Sequence, residues 1–246
     1  MRSRARAALA LLPLLAACAT GSSTVRSGAP AVDVARYARL LAMADERRVD
    51  TALVRSILRS GSSAERAAAA RAVGQVHGAI LAPELRGLLA DRDTAVAANA
   101  AYALGLLADT NGVTALSAAL DAAPPVGREA AWALGQIGAP ARAVLVASLA
   151  QESPPHDPHV RSAELIALFK LEPVPAAAVG PWLHDTSALV RWGAAYALAR
   201  PYVAAGVRAL IPLAGDPDAE VRAQVARAMS KRAAGDSLAP LVAAPL

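Results

Sequence analysis

Small and apolar residues recur along this 246-residue chain at relative positions 0, 3, 4, 7 and 8 of a cadence that is repeated six times. The copies begin at Glu65, Val96, Val126, Val160, Val190 and Val221, and read ERAAAARAVG, VAANAAYALG, VGREAAWALG, VRSAELIALF, VRWGAAYALA and VRAQVARAMS. Those positions form one face of a 3.6-residue helix. In the second copy the face is Val96, Asn99, Ala100, Ala103 and Leu104; in the fifth it is Val190, Gly193, Ala194, Ala197 and Leu198. A second apolar helix follows, marked by Leu85, Leu88 and Leu89, then Leu116 and Leu120, Leu145 and Leu149, Val179 and Leu183, Leu210 and Leu213. Pro83, Pro140, Pro175 and Pro201 stand near the starts of these second helices, where a missing N–H costs little. Successive copies start 31, 30, 34, 30 and 31 residues apart. A period of that size means stacked supersecondary units, so the pattern predicts an all-α chain, an α-solenoid of about seven helical hairpins.

Composition sharpens this. Hydrophobic residues make up 55% of the chain and aromatics only 3%, so the apolar content is mostly alanine with leucine and valine, which suits closely packed helices. Asp91, Asp121, Asp185 and Asp216 each stand five residues before a cadence, where an aspartate can cap the first helix. Arg66, Arg161, Arg191 and Arg222 occupy position 1. Asp and Arg repeated at fixed offsets suit a structural ladder between neighbouring units better than a catalytic series, because catalysis needs only one site.

The D-x4-V-R-x2-A-A-x-A-L-G pattern, clearest in Asp185 with Val190, Arg191, Ala194, Ala197 and Leu198 and in REAAWALGQIG from Arg128 to Gly138, resembles HEAT repeats. The likeness is to the short variety named after phycobilisome (PBS) lyases. It covers about Val34 to Leu246 and includes a weaker first hairpin, Val34 to Ser60, with Tyr37, Leu40 and Leu41 on its first helix. The resemblance implies a HEAT/armadillo-like superhelix. Phe169, Ala199 and Ser230 stand where other units carry Gly74, Gly105 and Gly135, and those units are expected to end their first helix differently.

Position 6, usually polar in this repeat class, holds Tyr102, Trp132, Ile166 and Tyr196 in four successive units, with Trp192 one turn before Tyr196. That position lies about 120° from the core-facing centre, which predicts a stripe along one flank. Such a stripe either binds a partner protein or seals the seams between hairpins. Enzymes exist in the class, among them deoxyhypusine hydroxylase with its His-Glu metal ligands and the phycobilin lyases. This sequence contains no His-Glu dipeptide, no Gly-rich phosphate loop, no G-x-S-x-G elbow and no second cysteine. His156, Asp157 and His159 lie in an insertion, Gln151 to His159, whose three prolines favour a polar loop over a metal site; His77 and His184 are isolated. No cofactor or metal is expected.

The N-terminus has the layout of an export signal: Arg2, Arg4 and Arg6, then an apolar run from Ala7 to Ala17 too short to span a bilayer. Leu15-Ala16-Ala17-Cys18 resembles the lipobox of bacterial lipoproteins, and Cys18 is the sole cysteine. The resemblance implies a cleaved signal peptide over 1–17, lipidation of Cys18, and, with Ala19 rather than an acid following, an outer-membrane lipoprotein facing the periplasm. Multiple acyl chains give the stable attachment that one chain does not. Residues 18–30, rich in Gly, Ser and Thr, read as a flexible tether, and 31–246 as the solenoid. Losing the three signal arginines lowers the net charge from +5 to +2, so the basic balance is no argument for a nucleic-acid partner.

The expected function is therefore a non-catalytic, lipid-anchored scaffold that binds a protein partner in the bacterial cell envelope. The alternatives are an N-terminal accessory array of an envelope enzyme such as a cyclophilin-type prolyl isomerase, and a PBS-lyase-like HEAT protein, which the missing His-Glu pairs disfavour. The first alternative draws on the final helix, whose Leu238, Leu241, Val242 and Leu246 lack a polar cap; the same apolar end is a candidate homodimer surface. A polar N-terminal edge, by contrast, is supplied by Asp45, Glu46, Arg47, Arg48 and Asp50.

Overall fold

A computed structural model describes residues 32–151, 157–199 and 208–233. The chain divides into two units, Met1–Pro30 and Ala31–Leu246, and all described residues belong to the second. Twelve α-helices follow in order among them: α1 (Val34–Asp45), α2 (Thr51–Ser60), α3 (Ser63–Gln75), α4 (Ala82–Leu88), α5 (Thr94–Leu106), α6 (Val113–Ala119), α7 (Pro124–Ile137), α8 (Arg142–Leu149), α9 (Pro158–Leu168), α10 (Ala176–Val179), α11 (Ala188–Leu198) and α12 (Ala219–Ala233). The array is an α-solenoid: five hairpins, a sixth apart from residues 200–207, and the first helix of a seventh lie within the described residues. Each cadence is the heart of a first helix, and α3, α5, α7, α9, α11 and α12 pack consecutively, each on the next.

The second elements are short. After the first hairpin, each contains a 3-10 turn: Ala79–Leu81, Thr110–Gly112 and Ala139–Ala141 lead into α4, α6 and α8, while Gly180–His184 follows α10 and Ile211–Gly215 precedes α12. Their leucines nevertheless reach the core, with Leu85, Leu116, Leu145 and Leu210 fully buried. Pro83 lies in the first turn of α4, Pro140 in the turn before α8 and Pro175 at the N-cap of α10; Pro201 lies outside the described residues.

Five of the seven described first helices, α1, α3, α5, α9 and α12, start on side-chain caps, though not on the aspartates expected, while α7 and α11 have none. Asp93 accepts from the Ala95 and Val96 N–H groups, and Asp218 from Glu220 and Val221. Asp91 and Asp216 stand two residues earlier, where each accepts instead from the N–H of the capping aspartate. Asp185 likewise accepts from Ser187 N–H. The reason is one of reach: an N-cap oxygen satisfies donors two and three residues on, and position −5 is too far from the first helical N–H groups. Ser62 and Glu65 form a reciprocal capping box at α3, which places a buried carboxylate where other units carry valine. Three first helices end in a Schellman turn whose left-handed residue is not glycine: Arg47 (φ 52°), His77 (φ 55°) and Ala108 (φ 48°). At α5, for example, the Asp109 N–H reaches the Leu104 carbonyl and the Ala108 N–H that of Gly105.

Alanine and glycine allow the first helices to approach closely. A Cβ on Gly74 would lie 2.7 Å from the Ala103 Cα, on Gly105 2.8 Å from the Ala133 Cα, and on Gly135 2.9 Å from the Ala167 Cβ. These glycines are packing positions rather than helix stops, since α3, α5 and α7 all continue past them. Where the glycine is absent, α9 and α11 end one residue before Phe169 and Ala199, as expected, but α12 runs on through Ser230. Between α9 and α11 the close approach moves toward the N-terminal half, where a Cβ on Gly193 would meet Ser162 Oγ at 2.8 Å. At the N-terminal edge, α1 exposes Val34 (78%) and Leu41 (55%) beside Asp45, Glu46, Arg47 and Arg48, so that edge is mixed rather than polar. No helix among the described residues is long and apolar enough to cross a membrane.

Candidate functional site

A first helix in this array is enclosed on most of its circumference. Positions 0, 4, 7 and 8 face the hairpin core as the periodicity requires; position 3, expected on the same face, is half-buried in Ala68, Asn99, Glu129 and Ala163 and buried only in Gly193 and Gln224, because 5 and 9 turn inward against the following unit instead, as Ala70, Ala101 and Ala131 and then Gly74, Gly105 and Gly135 show. What remains is a narrow solvent strip at positions −1, 2, 3, 6 and 10, and neighbouring helices align their strips along the array.

The sequence-predicted residues Tyr102, Trp132, Ile166, Trp192 and Tyr196 all lie on that strip and all are half-buried. Tyr102 and Trp132 stack across units with ring centroids 4.9 Å apart, and Trp192 stacks on Tyr196 at 5.3 Å. The preceding unit contributes Arg71, whose guanidinium lies 5.1 Å from the Tyr102 centroid, and Phe169 of α9 meets Tyr196 at 4.7 Å. The sealing role that was one of the two expectations for the stripe is present in the aromatic side chains. Their faces seal seams, as the Trp132 ring does over Gly105, and their remaining surface is open to solvent. Arg71 was not singled out from the sequence, although it occupies position 6 of the first cadence; the aromatic neighbours drew attention from it. A hollow of about 230 Å³ opens between α7 and α9, floored by Trp132 and Ile166 and flanked by Arg128, Glu129 and Lys170.

The Asp and Arg series divides. Arg66 clasps Asp91 of the next unit with two bonds of 3.0 Å, and Arg191 clasps Asp216 at 2.7 and 2.8 Å. These are inter-unit rungs. Arg191 also donates to the carbonyls of Asp185 and Thr186, and Arg222 donates to those of Asp216 and Pro217, so an arginine at this position ties down the loop before its own helix. The guanidinium of Arg191 holds the Asp216 carboxyl below the ordinary aspartate range, and Asp216 in turn raises Arg191. Burial pushes Asp91 up, but Arg66 and the Asp93 N–H together outweigh it and leave the carboxyl lowered. Asp121 is exposed at the turn before α7, which starts on Pro124 and Pro125 without a side-chain cap.

Arg161 departs from the series. It is 2% exposed and pairs within its own helix with Glu164 at 2.9 Å, itself fully buried, while donating to the Ser148 and Gln151 carbonyls. Ser148 hydrogen-bonds Glu164, and the Trp182 ring lies 4.4 Å from the Arg161 guanidinium carbon. The sequence signal was the glutamate at position 4, normally alanine. Beside this cluster a groove of about 850 Å³ runs between α8, α10 and the start of α11, lined by Leu149, Trp182, Asp185 and Val190 among others. Of the insertion residues, Asp157 caps α9 through the His159 N–H and His159 is exposed; His156 lies outside the described residues, as do Cys18 and the final helix. Among the described residues no group of three His, Cys, Asp or Glu could hold a metal ion.

A family model described as HEAT repeats matches residues 82–168 and 176–244, well over half the chain. The chain belongs to the HEAT-repeat family. Among solved structures, YibA of Escherichia coli is similar at 18% identity and a TM-score of 0.56 over 82% of this chain and 76% of that one. An engineered protein is similar at 23% identity and a TM-score of 0.50, over 74% of this chain and 97% of that one. The CpcE–CpcF complex of phycocyanin lyase from a Nostoc species is similar at 20% identity and a TM-score of 0.48, over 83% and 90%. At these identities the likeness to solved structures is one of fold. No curated protein matches the chain. In the HEAT-repeat frame, the rungs, the small-residue contacts and the capped first helices are architecture, and the solvent strip is the surface that differs from unit to unit.

Proposed function

We propose that this HEAT-repeat protein is a non-catalytic scaffold that binds a protein partner along the strip of its first helices and is held in the bacterial envelope through a lipidated Cys18, on the outer membrane facing the periplasm. The observation that carries the binding half is the continuity of the strip: Arg71, Tyr102, Trp132, Ile166 and Tyr196 come from five successive units, the first four meet in turn across the seams, and Phe169 of the Ile166 unit meets Tyr196. Half-exposed aromatic and arginine side chains on a rigid backbone are what protein interfaces use as anchors, because little further side-chain entropy is lost on binding. The anchoring half rests on the basic, apolar and Leu-Ala-Ala-Cys succession at residues 2–18.

Photo-crosslinking residues introduced at Gln75 on the strip and at Ala143 on α8 test the binding half in intact envelopes. Capture of one defined protein from Gln75 and not from Ala143 is the expected result, and capture from Ala143 alone refutes the assignment of the face. For the anchor, Cys18→Ser should move the protein from the membrane to the soluble envelope fraction; retention in the membrane removes that half.

A further inference from the structure

Two sets of cations among the described residues differ in what they meet. Arg36, Arg39, Arg55, Arg66, Arg86, Arg161 and Arg191 each pair with a carboxylate. The cations of the first-helix strip do not. Arg71 donates to the Asn99 side-chain carbonyl at 2.9 Å, Lys170 to that of Gln136 at 2.6 Å and Arg227 to that of Gln224 at 3.5 Å. Neutral amides fix where these charges stand and leave them uncompensated. Arg128 is exposed on the same strip, and none of the four makes an ion pair with a described residue. From α3 to α12 the described carboxylates on the strip are Glu129 and Glu220.

The rings point the same way. Tyr102 lies between Arg71 of the unit before and Trp132 of the unit after, and Tyr196 between Phe169 and Trp192. Each tyrosine is stacked on a tryptophan, and a stacked ring offers solvent its edge, the electropositive part of its quadrupole. Stacking leaves less ring face for a ligand that needs one, such as a sugar, an unpaired base or a quaternary ammonium group. A carboxylate finds ring edges beside fixed cations.

We propose that the strip recognises an acidic, extended segment of a partner protein, with an apolar side chain seated in the hollow over Trp132 and Ile166 and flanking carboxylates on Arg128 and Lys170. This rests on the reading of the chain as a protein-binding scaffold and names the chemistry of its partner.

The test uses the full chain and a fluorescein-labelled peptide of repeating Glu-Leu-Glu-Ser units, followed by fluorescence anisotropy at low and at physiological ionic strength. The peptide should bind, and bind less tightly as salt rises. Arg128→Gln with Lys170→Gln should weaken it about tenfold without changing the melting temperature, and Glu129→Gln should tighten it several-fold. The same peptide with lysine in place of glutamate should not bind, and a single-stranded oligonucleotide of equal charge should bind more weakly. Equal affinity for the two peptides, indifference to the Arg128 and Lys170 variants, or preference for the oligonucleotide overturns the proposal. Should the crosslinker at Gln75 still capture a partner in that event, the scaffold reading stands and only the acidic preference falls.

Discussion

Gly105 and Gly87 both lie in helices, and their replacement by alanine should have opposite effects. In α5, a Cβ on Gly105 would lie 2.6 Å from a Trp132 ring carbon and 2.8 Å from the Ala133 Cα. Neither neighbour can give way cheaply. The Trp132 ring is stacked on Tyr102, and Ala133 is a fully buried backbone position of the next first helix. Relief requires α5 and α7 to separate, and overpacking of that kind costs about 1–3 kcal/mol, against a gain near 1 kcal/mol from alanine's better helix propensity. Gly87 near the end of α4 has no atom within 4 Å of the site a Cβ would take, so only the propensity gain remains, about 0.5 kcal/mol so close to the helix end. Urea titration followed by far-UV circular dichroism should therefore show a lower midpoint for Gly105→Ala and an unchanged or higher one for Gly87→Ala. Combining Gly105→Ala with Trp132→Ala should recover part of the first loss, because the two share one contact. A Gly105→Ala protein as stable as the parent would refute the close-approach account of the repeat glycines.

Replacing Arg161 by alanine leaves the Glu164 carboxylate buried without its guanidinium and should cost about 3–5 kcal/mol, whereas Arg161→Met with Glu164→Leu should recover most of it; denaturant midpoints of the two variants decide this. Ala108→Gly relieves a left-handed alanine at the end of α5 and should stabilise by about 0.5–1 kcal/mol, visible as a rise in melting temperature. Glu65, held down by the Ser62 N–H and hydroxyl, and Asp216, held down by Arg191, have folded-state pKa values below their unfolded ones. The stability they contribute is complete above the unfolded carboxylate range near pH 4 and is lost as the pH falls below it, so the midpoint should drop on acidification and Asp216→Asn should flatten that drop.

The hairpins were legible because burial in a repeat array is local and periodic. The six cadences, the leucines after them and the weaker hairpin at Val34 to Ser60 carried unit number and order, and the HEAT-repeat assignment follows from them. The rungs were legible as a class, since Arg66 with Asp91 and Arg191 with Asp216 repeat one offset. The capping residue was misplaced by two positions, because Asp91 and Asp93 are both plausible caps in sequence and only the path of the turn shows which oxygen reaches the first N–H groups.

By itself, then, the sequence determined which faces must be buried, how many times, and where polar chain must break the helices, all matters of spacing along one strand of chain. Only the tertiary structure decided who meets whom across the seams. It showed that Gly74, Gly105 and Gly135 make room for the next helix rather than ending their own, that Arg161 turns inward to Glu164, and that Arg71 joins the aromatic row while resting on a neutral amide. The physical reason is that these outcomes depend on distances of a few ångströms, set for the glycines and Arg71 by residues about thirty positions away and for Arg161 by the carbonyls and ring that surround it, and periodicity reports a residue's own face but not the atoms opposite it.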